Sequence, residues 1–322
     1  MKTKPLDPEE INLVMLAKKY SNDGQARKLL ESWRWPNGAV CPRCDCKEAY
    51  AIVSGKETKN KVRKGLYKCK ACRKPFTVTV GTIFEDSHVG LGKWLMAFFL
   101  ISSCKKGISA HQLHRMLEVT YKTAWFMAHR TRYTIGQNPM QNMLNGEVEA
   151  DETYVGGKPR HGGRRKAVSG RGTVHKTPVV ALIERGGDVR TKVVANVSHK
   201  NLRKFVDDNI SRSAAMNTDQ FLLYGPLFRG WASHDTVNHS KKQYVKTTTD
   251  GRDVHVNTCE SFFSLIKRSV YGAFHHISKE HLHRYCDEVA FRWNHRTLTD
   301  GERMKQALEM IVGKRLTYRQ AV

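Results

Sequence analysis

Two closely spaced pairs of cysteines constrain the first third of this 322-residue chain more than any other feature. The pairs are CPRC and CKAC, formed by Cys41, Cys44, Cys69 and Cys72. Each C-x-x-C places two thiolates on a tight turn, and two such turns supply the four sulfur ligands of a structural zinc. Four unrelated buried cysteines are the alternative, which the spacing disfavours. The sequence therefore predicts a zinc ribbon over residues 39–86 with one structural Zn²⁺, and leaves open whether Cys46 replaces Cys44.

The charge balance indicates a polyanionic partner. The chain has 55 Lys and Arg against 30 Asp and Glu, a formal net charge of +25. An excess of this size favours DNA or RNA over a membrane surface, although a need for solubility alone would also produce it.

The cellular compartment follows from the cysteines and from the apolar runs. Eight cysteines, four of them in C-x-x-C pairs, fit a reducing cytosol better than a disulfide framework. The start MKTKPLDPEE does not resemble a signal peptide, and the longest apolar run, Trp94–Ile101, is too short to span a bilayer. We expect a cytoplasmic protein with no membrane partner.

Helical patterns flank the ribbon on both sides. Residues 1–38 predict a small helical cap. Residues 87–138 predict a helix-turn-helix domain, with a short helix at Ala110–Leu117 and a longer one at Tyr121–Tyr133. Plain packing of a helical bundle is the alternative. The DNA contacts predicted on the longer helix are Lys122, Thr123, Arg130 and Arg132.

The second half of the chain predicts an α/β domain over residues 143–298, a mixed five-stranded sheet flanked by helices. Four strands are assigned, at Glu147–Val155, Thr177–Glu184, Arg190–Val197 and Ala214–Leu223, with a helix from Ser198 to about Ile210 before the last of them. This order is that of an RNase H-like domain, whose first and fourth strands lie side by side at the centre of the sheet.

Acidic residues on these strands suggest a cation site. Asp151 and Asp219 would face each other on the central strands, and Glu260 would approach from a later helix. Three converging carboxylates can hold two divalent ions for phosphoryl transfer, and their hard oxygen ligands suit Mg²⁺ or Mn²⁺. The alternative is that both aspartates are strand-end turn formers, with Glu149 and Glu152 among the rival acids.

The helix that carries Glu260 has the sequence HVNTCESFFSLIKR, His255–Arg268. Helical periodicity puts a polar arc on one side and an apolar arc on the other. Glu260 and Lys267 are seven residues apart, so an acid and a base stand about two turns from each other. An ordinary amphipathic helix with a solvated polar face is the alternative.

A basic, glycine-rich segment follows the first strand. Gly156–Lys176 holds seven Lys and Arg and no acid, and we expect it to lie along a phosphate backbone or to be a disordered insertion. The DNA contacts predicted here and on the later helix are Lys158, Arg164, Arg165, Lys166, Arg171, His255 and Arg268.

Taken together, CPRC…CKAC, ADETYVGGK, the TD that precedes Tyr224, and HVNTCESFFSLIKR resemble a known family. They resemble the bacterial insertion-sequence transposases of the DDE/DDNK type, which join an N-terminal zinc ribbon to an RNase H-like catalytic domain. The resemblance runs from about Val40 to Trp293.

The resemblance implies Asp151 and Asp219 as the first two catalytic acids and Lys267 as the trailing base. The third position is Glu or Asn in this group, and both Asn257 and Glu260 are present; the charge of Glu260 favours it as the metal ligand. The resemblance also implies binding of terminal inverted repeats, Mg²⁺-dependent cleavage and strand transfer, and a dimer or larger assembly on double-stranded DNA.

Two other functions remain as alternatives: a transcription regulator whose second half is inactive, and an RNase H-like nuclease that cuts without joining. For residues 299–322 the pattern predicts a C-terminal helix and a basic tail, with the helix packed against the catalytic sheet.

Overall fold

The computed structural model describes residues 7–53, 62–136, 142–157 and 176–321. The chain divides into two compact units. The first combines Met1–Asn138 with His295–Val322, and the second is Pro139–Asn294. In the described ranges, no helix combines the length and the apolar character that crossing a membrane requires.

The secondary structure alternates between helical and sheet regions along the chain. The helices are α1 (Leu13–Lys19), α2 (Asp23–Arg34), α3 (Leu91–Ser103), α4 (Ala110–Leu117), α5 (Tyr121–Gly136), α6 (His199–Asn209), α7 (Tyr224–Leu227), α8 (Asn257–Ser269), α9 (Leu282–Asn294), α10 (Asp300–Glu309) and α11 (Tyr318–Ala321). The strands are β1 (Ala49–Ala51), β2 (Tyr67–Cys69), β3 (Pro75–Phe76), β4 (Glu147–Val155), β5 (Thr177–Glu184), β6 (Val189–Val193), β7 (Ala215–Asp219), β8 (Ser233–Val237), β9 (Lys246–Thr247) and β10 (Asp253–Val254).

Helix α3 is the core of the first unit. It is apolar on nearly every side, which suits a helix packed among others, and α1, α2, α5 and α10 all contact it. The contact with α10 corrects the expectation that the C-terminal helix packs against the sheet. Helix α10 buries Met304, Ala307 and Leu308 in the first unit. Gly301 makes this approach sterically possible, since a Cβ there would lie 2.0 Å from the carbonyl oxygen of Pro8.

The ribbon is a three-stranded antiparallel sheet in the order β1-β2-β3. Trp35, at the end of α2, packs edge-on against both Tyr67 and Phe76. This aromatic cluster joins α2 to the ribbon, so the N-terminal cap and the ribbon share one core.

Helices α4 and α5 form at the positions that the sequence predicts. Ser109 caps α4, and Glu118 ends it in a left-handed conformation (φ 49°, ψ 51°) that reverses the chain. Thr120 Oγ1 then accepts the backbone N–H of Thr123 at the start of α5. A DNA-binding helix-turn-helix stays a prediction for this pair.

The second unit is built on a mixed sheet of five strands in the order β6-β5-β4-β7-β8. Strand β4 pairs antiparallel with β5 and parallel with β7, so the two central strands are those that the sequence indicated. Strand β7 ends at Asp219, four residues earlier than predicted. The fifth strand, β8, has the polar sequence SHDTV, and it pairs parallel with β7 at the sheet edge.

Each face of the sheet is covered by helices. On one face Val148, Ala150 and Met216 pack with Leu202 and Phe205 of α6. On the opposite face Ala181 and Ile183 pack with α8 and α9. Because side chains alternate along a strand, Glu149 and Asp151 project from the face that carries α8.

Candidate metal centres and nucleic-acid interface

Four cysteine thiols of the ribbon lie close enough together to bind one metal ion. The sulfurs of Cys41, Cys44, Cys69 and Cys72 all lie within 4.8 Å of one another. The Cys41–Cys72 and Cys44–Cys69 sulfur separations are 3.7 and 3.6 Å. Tetrahedral Zn–S bonds of about 2.3 Å put sulfurs about 3.8 Å apart, so the four side chains fit a structural Zn²⁺.

The same geometry decides between the two candidate thiols. Cys44 belongs to the four-sulfur cluster. The Cys46 sulfur instead accepts the backbone N–H of Glu48 at 3.4 Å. Cys44 is therefore the zinc ligand that the geometry favours, and Cys46 does not replace it.

Strands β4 and β7 bring two of the predicted acids to adjacent positions. Ala150 pairs with Thr218 in parallel register, and Asp151 and Asp219 are the next residues on each strand. Neighbouring strands lie about 4.8 Å apart, so the two carboxylates emerge side by side. Helix α8 adds Glu260 from its first turn. We call Asp151, Asp219 and Glu260 the acid cluster.

Electrostatics in the acid cluster act most strongly on Asp151. Burial raises the pKa of Asp151 well above its usual range, and the charge of Glu152 raises it further. The backbone N–H of Glu152, which donates to Asp151 Oδ1 at 2.8 Å, lowers this pKa, whereas the charges of Asp219 and Glu260 raise it. Burial and repulsion from the neighbouring carboxylates disfavour the ionised form of Asp151 unless a cation neutralises it.

The buried amide of Asn217 is a second indication that a water or an ion binds beside the acid cluster. It is 0% exposed, and it lies two residues before Asp219 on the same face of β7. Neither the Nδ2 nor the Oδ1 of Asn217 has a hydrogen-bond partner among the described residues. Buried amides are nearly always paired, so a water or an ion is expected there. Carboxylate and amide oxygens are hard ligands, the kind that Mg²⁺ prefers.

Glu149 is a buried carboxylate that fixes the start of α8. Its oxygens accept the backbone N–H groups of Thr258 (2.8 Å) and Cys259 (3.1 Å) and the Thr258 hydroxyl (2.8 Å). The first N–H groups of a helix have no partner within the helix, and the helix dipole favours an anion beside them. Glu149 therefore caps α8 from the neighbouring strand, and it is a structural anchor.

Arg185 completes the same anchor. Its Nε donates to Glu149 Oε1 at 2.8 Å, and its other nitrogens donate to the carbonyl oxygens of Asp253 and His255. His255 Nδ1 also lies 3.1 Å from Glu149 Oε1. The His255 ring, which the sequence assigned to DNA, thus faces a buried carboxylate.

The two arcs of α8 match the predicted pattern. Cys259, Phe262, Phe263 and Ile266 are buried against the sheet. The opposite arc is solvent-exposed and carries Asn257, Glu260, Lys267 and Arg268. His239 adds an imidazole to this side, with its Nδ1 3.8 Å from Glu260 Oε1.

Tyr224, which the sequence placed just beyond the TD motif, is 1% exposed in the second unit. Its hydroxyl donates to Glu152 Oε2 at 2.6 Å. Burial raises the pKa of Tyr224 well above its usual range, so its hydroxyl stays protonated as a donor. Glu152, one of the rival acids, therefore bonds to Tyr224 on the sheet face opposite Asp151.

Two of the DNA contacts predicted on α5 are wrong. Arg130 is 6% exposed and donates to the carbonyl oxygens of Leu316 and Glu85. Arg132 is 2% exposed and donates to the carbonyl oxygen of Ile108. Both guanidinium groups join α5 to non-helical segments of the first unit, because long cationic side chains can satisfy buried carbonyls.

The other predicted contacts divide into exposed residues and residues outside the described ranges. Lys122 and Arg268 are exposed, and Lys122 lies 4.7 Å from the Tyr318 ring centre. Thr123 is half-buried beside Thr120. The contacts predicted in the basic segment, Lys158, Arg164, Arg165, Lys166 and Arg171, lie outside the described residues.

Sequence reasoning missed the anchoring roles of Glu149 and Arg185 and the buried Asn217. A signal existed for Glu149: an acid between Val148 and Ala150 in an otherwise apolar strand needs a partner if it is buried. The spacing gave no sign that this partner would be a helix more than 100 residues later.

Comparison with known proteins agrees with this combination of a zinc ribbon and a sheet domain carrying clustered acids. Residues 143–294 match the ISXO2-like transposase domain, and residues 21–75 match the transposase zinc-ribbon domain. The class is therefore that of zinc-ribbon transposases, which act on DNA.

A particular relative extends the match over most of the chain. The chain is 31% identical over 290 residues to an uncharacterized protein in transposable element ISH50 of Halobacterium salinarum, which covers 87% of this chain and 93% of the relative. No solved structure matches the chain. The chain belongs to the ISXO2-like transposase family.

Proposed function

We propose that this transposase binds the terminal inverted repeats of an insertion sequence and catalyses Mg²⁺-dependent DNA cleavage and strand transfer. The strand order of the second unit supports an RNase H-like fold for the catalytic domain. The observation that carries the proposal is the acid cluster: Ala150 pairs with Thr218 in parallel register, so Asp151 and Asp219 are neighbours on β4 and β7, and α8 adds Glu260 from its first turn.

Asp151, Asp219 and Glu260 are the metal ligands in this proposal. When bound, divalent ions activate the attacking water or 3′-hydroxyl and stabilise the leaving oxygen in an in-line displacement. Burial and neighbouring carboxylates raise the pKa of Asp151. Because a metal binds the ionised carboxylate, metal binding and loss of this proton are coupled. Lys267 stands about 10 Å along α8 from Glu260, where its ammonium can contact a neighbouring phosphate.

The test is incubation of the full chain with Mg²⁺ and DNA carrying the inverted repeats that flank its gene, followed by mapping of nicks and joined products. Wild-type protein should nick at the repeat ends and join the freed 3′ ends to target DNA. Asp151→Asn should abolish both products and leave binding to the ends nearly unchanged. Nicks without joined products would favour the nuclease, and specific binding without nicks would favour the transcription regulator.

The third ligand has a separate test. Glu260 is favoured because its charge acts on Asp151, whereas Asn257 is a neutral residue one turn earlier. Glu260→Gln should reduce the cleavage rate more than Asn257→Ala does. The opposite ranking in matched cleavage assays would assign the position to Asn257.

A further inference from the structure

The exposed arc of α8 continues past Lys267 and Arg268 into the turn that follows the helix. This turn is a short π-helix, Val270–Phe274, and Tyr271 within it is 67% exposed. From Glu260 to Tyr271 the helical rise is roughly 16 Å. A polar track with two cations therefore leads from the acid cluster to an exposed ring.

A cavity of about 320 Å³ opens beside that ring. Its lining comes from the end of β4, from the start of β5 and from the turn after α8. The residues that matter here are Gly156, Gly157, Tyr271, His275, His276 and Lys279. This volume is at the lower end for small-molecule pockets, and the polar and aromatic lining combines one aromatic ring, two imidazoles, an ammonium and the carboxylate of Glu280.

Strand β4 relates the cavity directly to the acid cluster. Val155 lines the cavity and lies four residues after Asp151, so both project from the face of the sheet that carries α8. Four residues of strand span about 13 Å. The cavity and the acid cluster thus lie on the same face of the sheet, about 13 Å apart along β4.

Two backbone positions at the cavity stand out. Among the described residues, whose range ends at Gly157 on this side, no atom lies within 4 Å of a Cβ built on Gly157. His275 has φ 59° and ψ −45°, a conformation that non-glycine residues rarely adopt. Strain of this kind persists where the surroundings hold it, and it clusters at ligand sites.

We propose that this cavity binds one unpaired nucleobase of the DNA strand that passes the acid cluster. This inference rests on the proposed function. The base stacks on Tyr271, the imidazoles of His275 and His276 offer hydrogen bonds to its edge, and Lys279 contacts the backbone. Stacking tolerates any base because every base has a π-face, so the subsite reads an unstacked nucleotide and no particular sequence.

The experiment uses the full chain and repeat-end duplexes in which 2-aminopurine replaces each base in turn around the nick. One position, a few nucleotides from the nick, should increase in fluorescence when wild-type protein binds in Ca²⁺, because the base leaves the duplex stack. Tyr271→Ala should abolish this increase, whereas Tyr271→Phe should keep it, since the phenyl ring also stacks.

Cleavage in Mg²⁺ adds a readout that a purely structural role would not affect. Tyr271→Ala should slow cleavage by about 5- to 150-fold, the range for one lost stacking contact. On DNA with an abasic site at the position where 2-aminopurine fluorescence increases, wild type and Tyr271→Ala should cleave at the same rate. Equal slowing by Tyr271→Ala on intact and abasic DNA would overturn the proposal, as would a Tyr271→Phe variant as slow as Tyr271→Ala.

Failure of this inference can be distinguished from failure of the proposed function. If wild type nicks the repeat ends but no position gains fluorescence, the subsite is refuted and the proposed function stands. If wild type produces no nick with any repeat end in Mg²⁺, both are refuted.

Discussion

Asp151 illustrates how a side chain that we propose as a catalytic ligand can also lower stability. Its carboxyl is buried beside other acids, which raises its pKa well above the usual range. An acid with a raised folded-state pKa favours the folded state at low pH, and this contribution is lost as the pH rises through that pKa. Without a metal, ionised Asp151 is therefore expected to destabilise the second unit at neutral pH.

The corresponding prediction is that Asp151→Asn stabilises the metal-free protein. In EDTA at neutral pH the variant should melt higher than wild type, by about 2–4 °C for each kcal/mol relieved. Added Mg²⁺ should raise the melting temperature of wild type and should have little effect on the variant. A variant that melts lower in EDTA would show that the carboxylate is better satisfied than its burial indicates.

Glu149 provides the opposite case, an acid whose loss should damage the fold. Glu149→Ala would leave two helix N–H groups without their acceptor and remove one carboxylate partner of Arg185, which keeps Glu147 and the carbonyl oxygens of Asp253 and His255. Breaking a buried ion pair costs about 3–5 kcal/mol, and urea unfolding of the second unit should show a loss of this order. Hydrogen exchange at Thr258 and Cys259 should also accelerate.

The matched control for Glu149 is Asp208→Ala. Asp208 pairs with Lys204 on the exposed side of α6, and such surface pairs contribute about 0–1 kcal/mol. Equal losses for the two variants would contradict the anchoring role of Glu149.

At the scale of elements, the helices and the central strands were largely predictable. Helix α4 and strands β4 and β5 have the predicted bounds, because local capping and alternation determine them. Strand β8 was missed because its polar sequence SHDTV has no strand pattern of its own. It becomes a strand through its pairing with β7. Arg130 and Arg132 were misassigned, because a helix pattern does not show which cations other elements will cover.

Helix α9 carries a prediction about pH. Burial raises the pKa of Asp287 to about 7. Its favourable contribution is complete below its unfolded pKa of about 4 and is lost as the pH rises through about 7. Relative to wild type, Asp287→Asn should gain stability between pH 5 and pH 8, with each pKa unit worth about 1.4 kcal/mol.

Urea unfolding of the second unit at four pH values between 5 and 8 would measure this difference. Asp208→Asn is the control, since that carboxylate is on the exposed side of α6. Parallel stability profiles for wild type and Asp287→Asn would refute the titration of Asp287.

At the scale of the whole molecule, the chain leaves its first unit at residue 138 and returns to it at residue 295. A zinc ribbon depends on its metal for folding, and here it shares a core with α2 through Trp35. We therefore expect zinc removal, or Cys41→Ser, to increase hydrogen exchange in the ribbon and α2 and to leave the sheet of the second unit protected.

Hydrogen-exchange mass spectrometry of the full chain, with and without a zinc chelator, would test this prediction. The control is Cys46→Ser, which removes a thiol from the ribbon and leaves the four-sulfur cluster intact. Cys104→Ser is less suitable, because Cys104 is half-buried at the end of α3. Equal exchange increases in both units would contradict the division of the chain.

The sequence by itself determined the zinc site, the main helices and strands, and the pairing of the strands that carry Asp151 and Asp219. The zinc site and the bounds of the elements depend on short-range spacing, since two residues of a C-x-x-C or successive faces of a strand have fixed geometry whatever surrounds them. The strand pairing was inferred from the order of the elements along the chain. Only the tertiary structure decided that Glu149 caps α8, that Arg130 and Arg132 are internal, and that α10 belongs with α3. Each of these depends on which distant segment covers a given side chain, and burial by remote segments leaves no periodic signal in the sequence.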